Sequence, residues 1–165
     1  MSKLYIGKVV NTHGIKGEIR IKTNLKASQK KEVFKLESHL IIDNVSYKIK
    51  SYRLHKDYDM VTFEGFNNIN EVLMLKGRSV YKDSLELNLQ DNDILDSELI
   101  TYKVVTNTHE DGIIKEIEVM GNNYKILRCL INEREVLIPY HDNFVKINHK
   151  YLQYHYLNQV FPRFE

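Results

Sequence analysis

The sequence has a single cysteine, Cys129, among its 165 residues, so no disulfide can form within one chain. Leucine and isoleucine residues flank this cysteine, which favours a buried, inert thiol over a nucleophile. No apolar run approaches the ~20 residues that cross a bilayer. Lysine and arginine residues interrupt the N-terminal apolar positions that a signal peptide needs. These absences predict a soluble protein of the reducing cytoplasm that does not bind a membrane.

Motifs that are typical of catalysis are also missing. The chain has no Gly-x-Ser-x-Gly elbow and no Gly-x-x-x-x-Gly-Lys-Ser/Thr loop. Its seven histidines form no His-Glu-x-x-His pattern. His149 and His155 are six residues apart, too far to chelate one ion without other ligands, and are expected to face outward. We therefore predict no enzyme activity, no metal site and no cofactor.

Tryptophan is absent, whereas there are eleven tyrosines. Exposed tyrosines can stack on the bases of single-stranded RNA. The tyrosines are scattered, however, and no Lys/Arg-Gly-Phe/Tyr-Gly-Phe motif is present. Most of them are expected in the core or on half-buried strands, so the sequence does not favour sequence-specific reading of RNA.

The small net charge of +2 hides an uneven distribution. Residues 1–56 contain thirteen Lys or Arg and four Asp or Glu, a balance of +9, and the remaining residues contain eleven and eighteen, a balance of −7. A basic first third on an acidic remainder suits an anionic partner at one end and a basic partner at the other. A nucleic acid and a basic protein are such a pair. The alternative is that the lysines only solvate exposed strand faces.

The most informative segment is Gly7 to Arg20, which reads GKVVNTHGIKGEIR. Two segments suited to β-structure flank a loop in which Gly14 and Gly17 permit a positive φ and close approach of another backbone. Lys16 adds a cation to the same loop. Taken alone, this segment is better explained as a hairpin that only turns the chain.

The rest of the first half consists of further short strands. Asp43-Asn44 is typical of a tight hairpin turn, and a change of side-chain parity near Lys50-Ser51 predicts a β-bulge. Between residues 68 and 77 a helical segment is expected, with a cap at Asn68 or Asn70. The expected strands are 4–10, 18–22, 40–42, 45–49, 60–64 and 78–81, which together fit a small antiparallel barrel.

A polar segment, residues 83–93, is the best candidate for a linker because it lacks a sustained apolar period. Beyond it, turn signals recur between strand-like segments at an even spacing. The expected strands there are 102–106, 113–119, 124–131, 136–138 and 151–156. We predict an all-β chain with a domain at 1–82, a linker at 83–93 and a second domain at 94–165.

Three blocks of this sequence resemble the ribosome maturation factor RimM family. The three blocks occur in the same order along the chain as in that family, and they span nearly the whole sequence. Together they identify the family, whereas the glycine loop alone would not. The first block is Thr12-His13-Gly14-Ile15-Lys16-Gly17-Glu18. The second consists of Tyr52-Arg53-Leu54-His55-Lys56, Val61-Thr62-Phe63-Glu64-Gly65-Phe66, Ile69-Asn70-Glu71 and Leu75-Lys76-Gly77. The third is Val136-Leu137-Ile138-Pro139-Tyr140 followed by Val145-Lys146.

The resemblance implies a translation-factor-like β-barrel followed by a PRC-type barrel, with one short helix in the first. It also implies a non-catalytic assembly factor for the small ribosomal subunit. Such a factor binds small-subunit ribosomal protein nineteen in the subunit head and aids the maturation and processing of 16S rRNA. The expected partners are the small subunit, that protein and 16S rRNA, and the chain itself is expected to be a monomer.

Residues in the matched blocks are the candidate ribosome- or RNA-binding residues. His13 is expected to make a loop contact, whereas His55 fits equally well a contact with a partner or packing beside Tyr58 and Tyr52. The full set is His13, Gly14, Lys16, Gly17, Arg53, His55 and Lys56.

The sequence departs from the family at the start of the second domain. The positions that match a family tyrosine pair, associated with the ribosomal-protein contact, are Leu95 and Asp96 here. The second domain is still expected to carry that contact, and its candidates are Pro139, which ends a strand, and Tyr140 and His141, just past it. Leu137 is better explained as a core residue of that strand.

A general RNA-binding module, acting through the basic first barrel, is the rival hypothesis. Binding that is dominated by phosphate contacts would weaken steeply with salt.

Overall fold

The computed structural model of the chain describes residues 3–89, 93–148 and 151–154. It divides into two compact units, Met1–Leu89 and Gln90–Glu165. Strands dominate both units, and the prediction of an all-β chain with two barrel-like sheets is confirmed. None of the helices in the described residues is long and apolar enough to cross a membrane.

The first unit is a closed barrel of six strands with the order β1-β2-β5-β4-β3-β6. Alternation decides which side chains enter it, and Ile19 and Ile21 of the second strand are completely buried. The bounds of the strands are β1 Lys3–His13, β2 Glu18–Thr23, β3 His39–Ile42, β4 Val45–His55, β5 Tyr58–Phe63 and β6 Ser79–Asp83.

Two local predictions for this barrel are confirmed. Asp43 and Asn44 join β3 to β4 with φ of 52° and 62°, the left-handed conformation of a two-residue hairpin turn. The register of β4 against β5 shifts between Ile49 and Ser51, where the change of parity predicts a bulge.

The helical structure of the first unit differs from the expectation. The segment that Asn68 caps is helical, but it forms two 3₁₀ turns, Ile69–Glu71 and Leu73–Leu75. An α-helix that the sequence analysis does not contain, α1, covers Ala27–Val33. A third 3₁₀ turn, Ser84–Glu86, follows β6.

Buried contacts with Asp59 and Tyr52 hold α1 on the barrel. The Asp59 carboxylate is fully buried and accepts hydrogen bonds from the Tyr52 hydroxyl at 2.6 Å and the Thr23 hydroxyl at 2.9 Å. The Lys30 ammonium of α1 lies 3.2 Å from the same carboxylate. Just after α1, the ring of Phe34 stacks on Tyr52 with centroids 4.8 Å apart.

The second unit is a six-stranded sheet with the order β10-β9-β8-β7-β12-β11, in which β12 and β7 are parallel. A short helix, α2 Asp96–Leu99, precedes it. The sequence analysis lacks β11, and the predicted end of β12 at residues 155–156 lies outside the described residues. The bounds are β7 Lys103–Thr106, β8 Asp111–Met120, β9 Tyr124–Ile131, β10 Arg134–Pro139, β11 Val145–Asn148 and β12 Tyr151–Tyr154.

Cys129 lies in the core of this second unit. Burial raises the pKa of its thiol to about 12, so the thiolate is disfavoured at neutral pH. His149 and His155 lie outside the described residues.

Candidate functional site

The turn between β1 and β2 packs against the backbone of residues 66–69, which lead into the first 3₁₀ turn. Gly14 and Gly17 both have positive φ, 67° and 87°. A Cβ on Gly17 would lie 2.9 Å from the Phe66 carbonyl oxygen, so this position needs glycine for space as well as for conformation. The Ile69 amide donates to the Ile15 carbonyl at 3.0 Å. Ile15 and Lys16 are therefore held at the surface.

The strand order of the barrel brings the end of β4, with the matched residues Arg53, His55 and Lys56, close to this turn. The barrel places β5 between β2 and β4, and a tight turn at Lys56-Asp57 joins β4 to β5. Lys56 has a φ of 56° and is exposed. Arg53 and His55, near the end of β4, thus reach the end of the barrel that carries His13.

Arg53 and Glu18 form a bidentate ion pair across the sheet. The Arg53 Nε and Nη2 atoms donate to the Glu18 carboxylate at 3.0 and 2.7 Å. This hydrogen bonding lowers the pKa of Glu18. The charge of Arg53 is therefore largely neutralised within the protein.

His13 and Arg20 form a second contact of this site. The Arg20 Nη2 atom lies 3.0 Å from His13 Nδ1. A guanidinium only donates, so Nδ1 is the acceptor and the ring proton is on Nε2. The rings of His13 and His55 have centroids 5.9 Å apart. Desolvation, followed by the positive charges of Arg53 and Lys56, lowers the pKa of His55.

Arg20, Lys22 and Tyr58 are functional candidates that the sequence analysis missed. The Arg20 guanidinium lies 5.0 Å from the centroid of the Tyr58 ring, and the Lys22 ammonium lies 5.5 Å from it. The alternation of β2 indicates that both cations point outward, but Tyr58 joins them only because β5 pairs with β2. We call the following set the basic face: His13, Glu18, Arg20, Lys22, Arg53, His55, Lys56 and Tyr58.

The predicted partner-binding residues of the second unit differ in exposure. Tyr140 is half-buried against the core, and burial raises the pKa of its phenol to about 12. Pro139 is also half-buried, whereas His141 is exposed. The His141 Nδ1 atom accepts a hydrogen bond from the Asn143 amide at 3.1 Å. Of these three residues, His141 presents the most accessible polar group.

The positions that replace the family tyrosine pair have structural contacts here. Leu95 is buried just before α2. Asp96 lies 2.5 Å from the Lys125 ammonium, which ties α2 to β9. Neither side chain offers the exposed aromatic surface of a tyrosine.

The fold and the site together define the chain as a two-unit all-β protein with a basic surface on its first unit. It has two all-β units, of which the first is a closed barrel with a basic face and the second carries exposed polar loops. Within the described residues, no group of three or more His, Cys, Asp or Glu side chains could hold a metal ion.

The comparisons with known proteins give the family. The model of the RimM N-terminal domain matches residues 4–87. A ribosome maturation factor RimM from Staphylococcus aureus strain JH9 is 34% identical over 150 residues, which is 87% of this chain and 88% of the relative. The protein of the same name from strain Newman gives the same values. The chain belongs to the RimM family.

Two solved structures are also similar to this chain. One is a crystal structure from Pseudomonas aeruginosa assigned as a 16S ribosomal RNA processing protein RimM, with a TM-score of 0.46 and 18% identity, covering 94% of this chain and 98% of that one. The other is the solution structure of the N-terminal domain of RimM from Thermus thermophilus, with a TM-score of 0.46 and 16% identity, covering 54% of this chain and 98% of that one.

Proposed function

We propose that this chain is a non-catalytic assembly factor for the small ribosomal subunit. It binds small-subunit ribosomal protein nineteen in the immature head, and it aids the maturation and processing of 16S rRNA in the cytoplasm. The observation that carries this proposal is the similarity to named ribosome maturation factors, which spans 87% of the chain and thus both units. The chain makes and breaks no bond in this role.

The basic face supports a contact of the first unit with the subunit. It contains four cationic side chains, Arg20, Lys22, Arg53 and Lys56, against the single carboxylate of Glu18. Such a surface attracts the phosphates of ribosomal RNA over a distance of about 10 Å, the screening length at moderate salt. The turn at Gly14 to Gly17 borders this face and presents Lys16.

The second unit is proposed to carry the protein contact. From residue 94 onward there are ten acidic and eight basic residues, so this part complements a basic ribosomal protein. Tyr140 and Pro139 are half-buried and can anchor a partner by their remaining apolar surface, while His141 donates from Nε2–H at the rim. The contact differs from one that uses a tyrosine pair, because Leu95 is buried.

The mechanism is selective binding of one conformational state. A factor that binds one form of the subunit head more tightly shifts the population toward that form by the difference in binding free energy. A hundredfold ratio of affinities corresponds to about 2.7 kcal/mol. Dissociation follows when the matured head no longer has the preferred conformation.

Binding of the full chain to purified small-subunit ribosomal protein nineteen tests the proposed partner. We expect His141→Ala to weaken binding severalfold. His141→Asn keeps an oxygen for the Asn143 amide but removes the imidazole, so it separates a direct contact from an effect on the loop. If the direct contact is correct, both variants weaken binding. Wild-type affinity in both variants, or no binding by the wild type, would contradict the proposed contact.

A general RNA-binding module is the second candidate, and the basic face is the observation that favours it. For such a module, the logarithm of the affinity for the subunit should fall with the logarithm of the salt concentration, by about 0.7 per phosphate contact on single strands. A factor held mainly by a protein contact should show a much smaller slope. The salt dependence of binding to small subunits therefore separates the two functions.

A further inference from the structure

The charges of the basic face are unequally compensated. Glu18 is its one carboxylate, and both of its oxygens accept hydrogen bonds from Arg53. Arg20 forms no ion pair with any carboxylate of the described residues, and its Nη2 atom is hydrogen-bonded to His13 Nδ1, which offers no negative charge. Its Nε atom is buried and has no hydrogen-bond partner among the described residues. Arg20 therefore keeps an uncompensated positive charge.

Arg20 is also held in place before any ligand arrives. The His13 ring fixes one end of the guanidinium at 3.0 Å, and the Tyr58 ring supports its plane at 5.0 Å. A side chain that is already ordered loses less conformational entropy on binding. The contact also leaves His13 with its proton on Nε2, as a second donor beside the guanidinium.

The surroundings of Arg20 are electropositive. The charges that oppose protonation of His55 include those of Arg53, Lys56 and Arg20, so these cations share one region of positive potential. Lys22 follows Arg20 by two residues on the same side of β2 and is exposed. A ligand at this place must be anionic, because a neutral group would not compensate these charges.

The aromatic ring of the face is not available as a platform for a base. Two cations, Arg20 and Lys22, already lie over Tyr58, within 5.5 Å of its centroid. Stacking of a nucleotide base on this ring would have to displace them. The geometry thus favours an oxyanion, for which a guanidinium offers paired N–H donors.

We infer that the basic face binds a backbone phosphate of RNA, with Arg20 as the principal ligand, His13 Nε2–H as a second donor, and Lys22 and Lys56 as surrounding charges. This inference rests on the proposed function for its RNA, and it adds the chemistry of recognition: phosphate rather than base. Binding is consequently independent of base sequence at this site. Arg53 is not a phosphate ligand in this site. Its guanidinium neutralises the negative charge of Glu18, which would otherwise repel a phosphate.

The test uses the full chain and labelled single-stranded RNA 12-mers of two unrelated sequences, with affinity measured over a series of salt concentrations. We expect Arg20→Gln to weaken binding about tenfold at low salt, the loss of one charge-assisted hydrogen-bonding group. It should also reduce the salt slope by about 0.7. Both RNA sequences should be affected equally.

Two variants serve as controls for charge. Lys31→Gln removes the same charge from an exposed position at the end of α1 and should change affinity by less than about twofold. Glu18→Gln should tighten binding by about threefold, because it removes the carboxylate of the face and frees Arg53. If Glu18 only supported the fold, its substitution would weaken RNA binding, as Arg20→Gln does, and would not strengthen it.

Equal losses in Arg20→Gln and Lys31→Gln, weaker binding by Glu18→Gln, or a strong preference for one RNA sequence would each overturn the inference. Tighter binding of a phosphoserine peptide than of RNA would also overturn it, in favour of a protein ligand. If Arg20→Gln fails to fold by circular dichroism, Arg20→Lys replaces it; this variant should keep the salt slope and lose affinity severalfold, and wild-type affinity would contradict the paired contact.

The same variants separate this inference from the proposed function. If the wild-type chain binds immature small subunits and Arg20→Gln binds RNA as well as the wild type does, the site is wrong and the function stands. If the wild-type chain does not bind immature small subunits but Arg20→Gln weakens its binding to RNA, the proposed function is wrong and the phosphate site stands.

Discussion

At the scale of single residues, two glycines in one turn have the same backbone conformation and different surroundings. Gly14 and Gly17 both have positive φ, which disfavours any side chain. Only Gly17 is closely approached, by the carbonyl of Phe66, whereas nothing lies within 4 Å of a Cβ on Gly14. A side chain at Gly14 would therefore cause backbone strain alone, whereas a side chain at Gly17 would cause the same strain and a steric clash.

We predict that Gly17→Val lowers the free energy of unfolding by well over about 1 kcal/mol, because it combines left-handed strain with a clash against fixed backbone. Gly14→Val, the matched control, should lose only about 1 kcal/mol from strain. Urea denaturation of both variants measures the difference. Equal losses would mean that the close approach at Phe66 has no energetic consequence.

The Glu18–Arg53 pair predicts a pH dependence. Hydrogen bonds from Arg53 lower the pKa of Glu18 in the folded state, so the pair stabilises the fold above the unfolded pKa of the carboxyl. That contribution is lost as the pH falls through the lowered folded value. Arg53→Gln should therefore be less stable than the wild type at pH 7, with a difference that shrinks below about pH 4.

Stability against urea at pH 7 and pH 3 checks this expectation. Arg134→Gln, at an exposed arginine of the second unit, is the control. Its difference from the wild type should stay nearly constant over the same range. A gap between Arg53→Gln and the wild type that widens on acidification would refute the assigned role of the pair.

At the scale of elements, α1 shows where local signals are too weak. Its N-cap is Lys26 rather than Ser, Thr, Asp or Asn, and its first turn has no acidic residue. Seven residues are too few for a stable isolated helix. Tertiary contacts hold it instead, chiefly the buried Asp59 carboxylate and the stack of Phe34 on Tyr52.

Asp59→Asn tests this anchoring. Loss of the buried charge leaves the Lys30 ammonium and two hydroxyl donors poorly satisfied, so we expect the free energy of unfolding to fall by about 2–4 kcal/mol. Asp57→Asn, two residues away in an exposed turn, should change stability by less than about 0.5 kcal/mol. Chemical denaturation gives both values, and a near-neutral Asp59→Asn would show that the network does not stabilise the helix.

The contrast between these elements explains what the sequence could predict. Hairpins such as Asp43-Asn44 and the bulge at Ile49–Ser51 follow from neighbouring residues and a period of two, and they were predictable. The 3₁₀ form of the segment after Asn68 and the existence of α1 depend on packing. In the site, Arg20 and Tyr58 meet only because β2 pairs with β5, a contact between strands distant in sequence.

At the scale of the whole molecule, the chain consists of two compact units, Met1–Leu89 and Gln90–Glu165. We predict that limited proteolysis cuts first between Ser84 and Asp93, in the polar segment that joins them. Mass spectrometry of the early fragments locates the cut. A stable fragment that crosses this segment would count against two independently folded domains.

The central claim, that this chain binds the small ribosomal subunit during its maturation, has one direct measurement. The purified chain is added to ribosomal particles from cells that lack it, and the gradient fractions are probed for the protein. We expect enrichment on immature small subunits and little on mature small or large subunits, because the proposed function requires a preference for the immature head. Equal binding to mature and immature small subunits, or no binding to either, would contradict the claim.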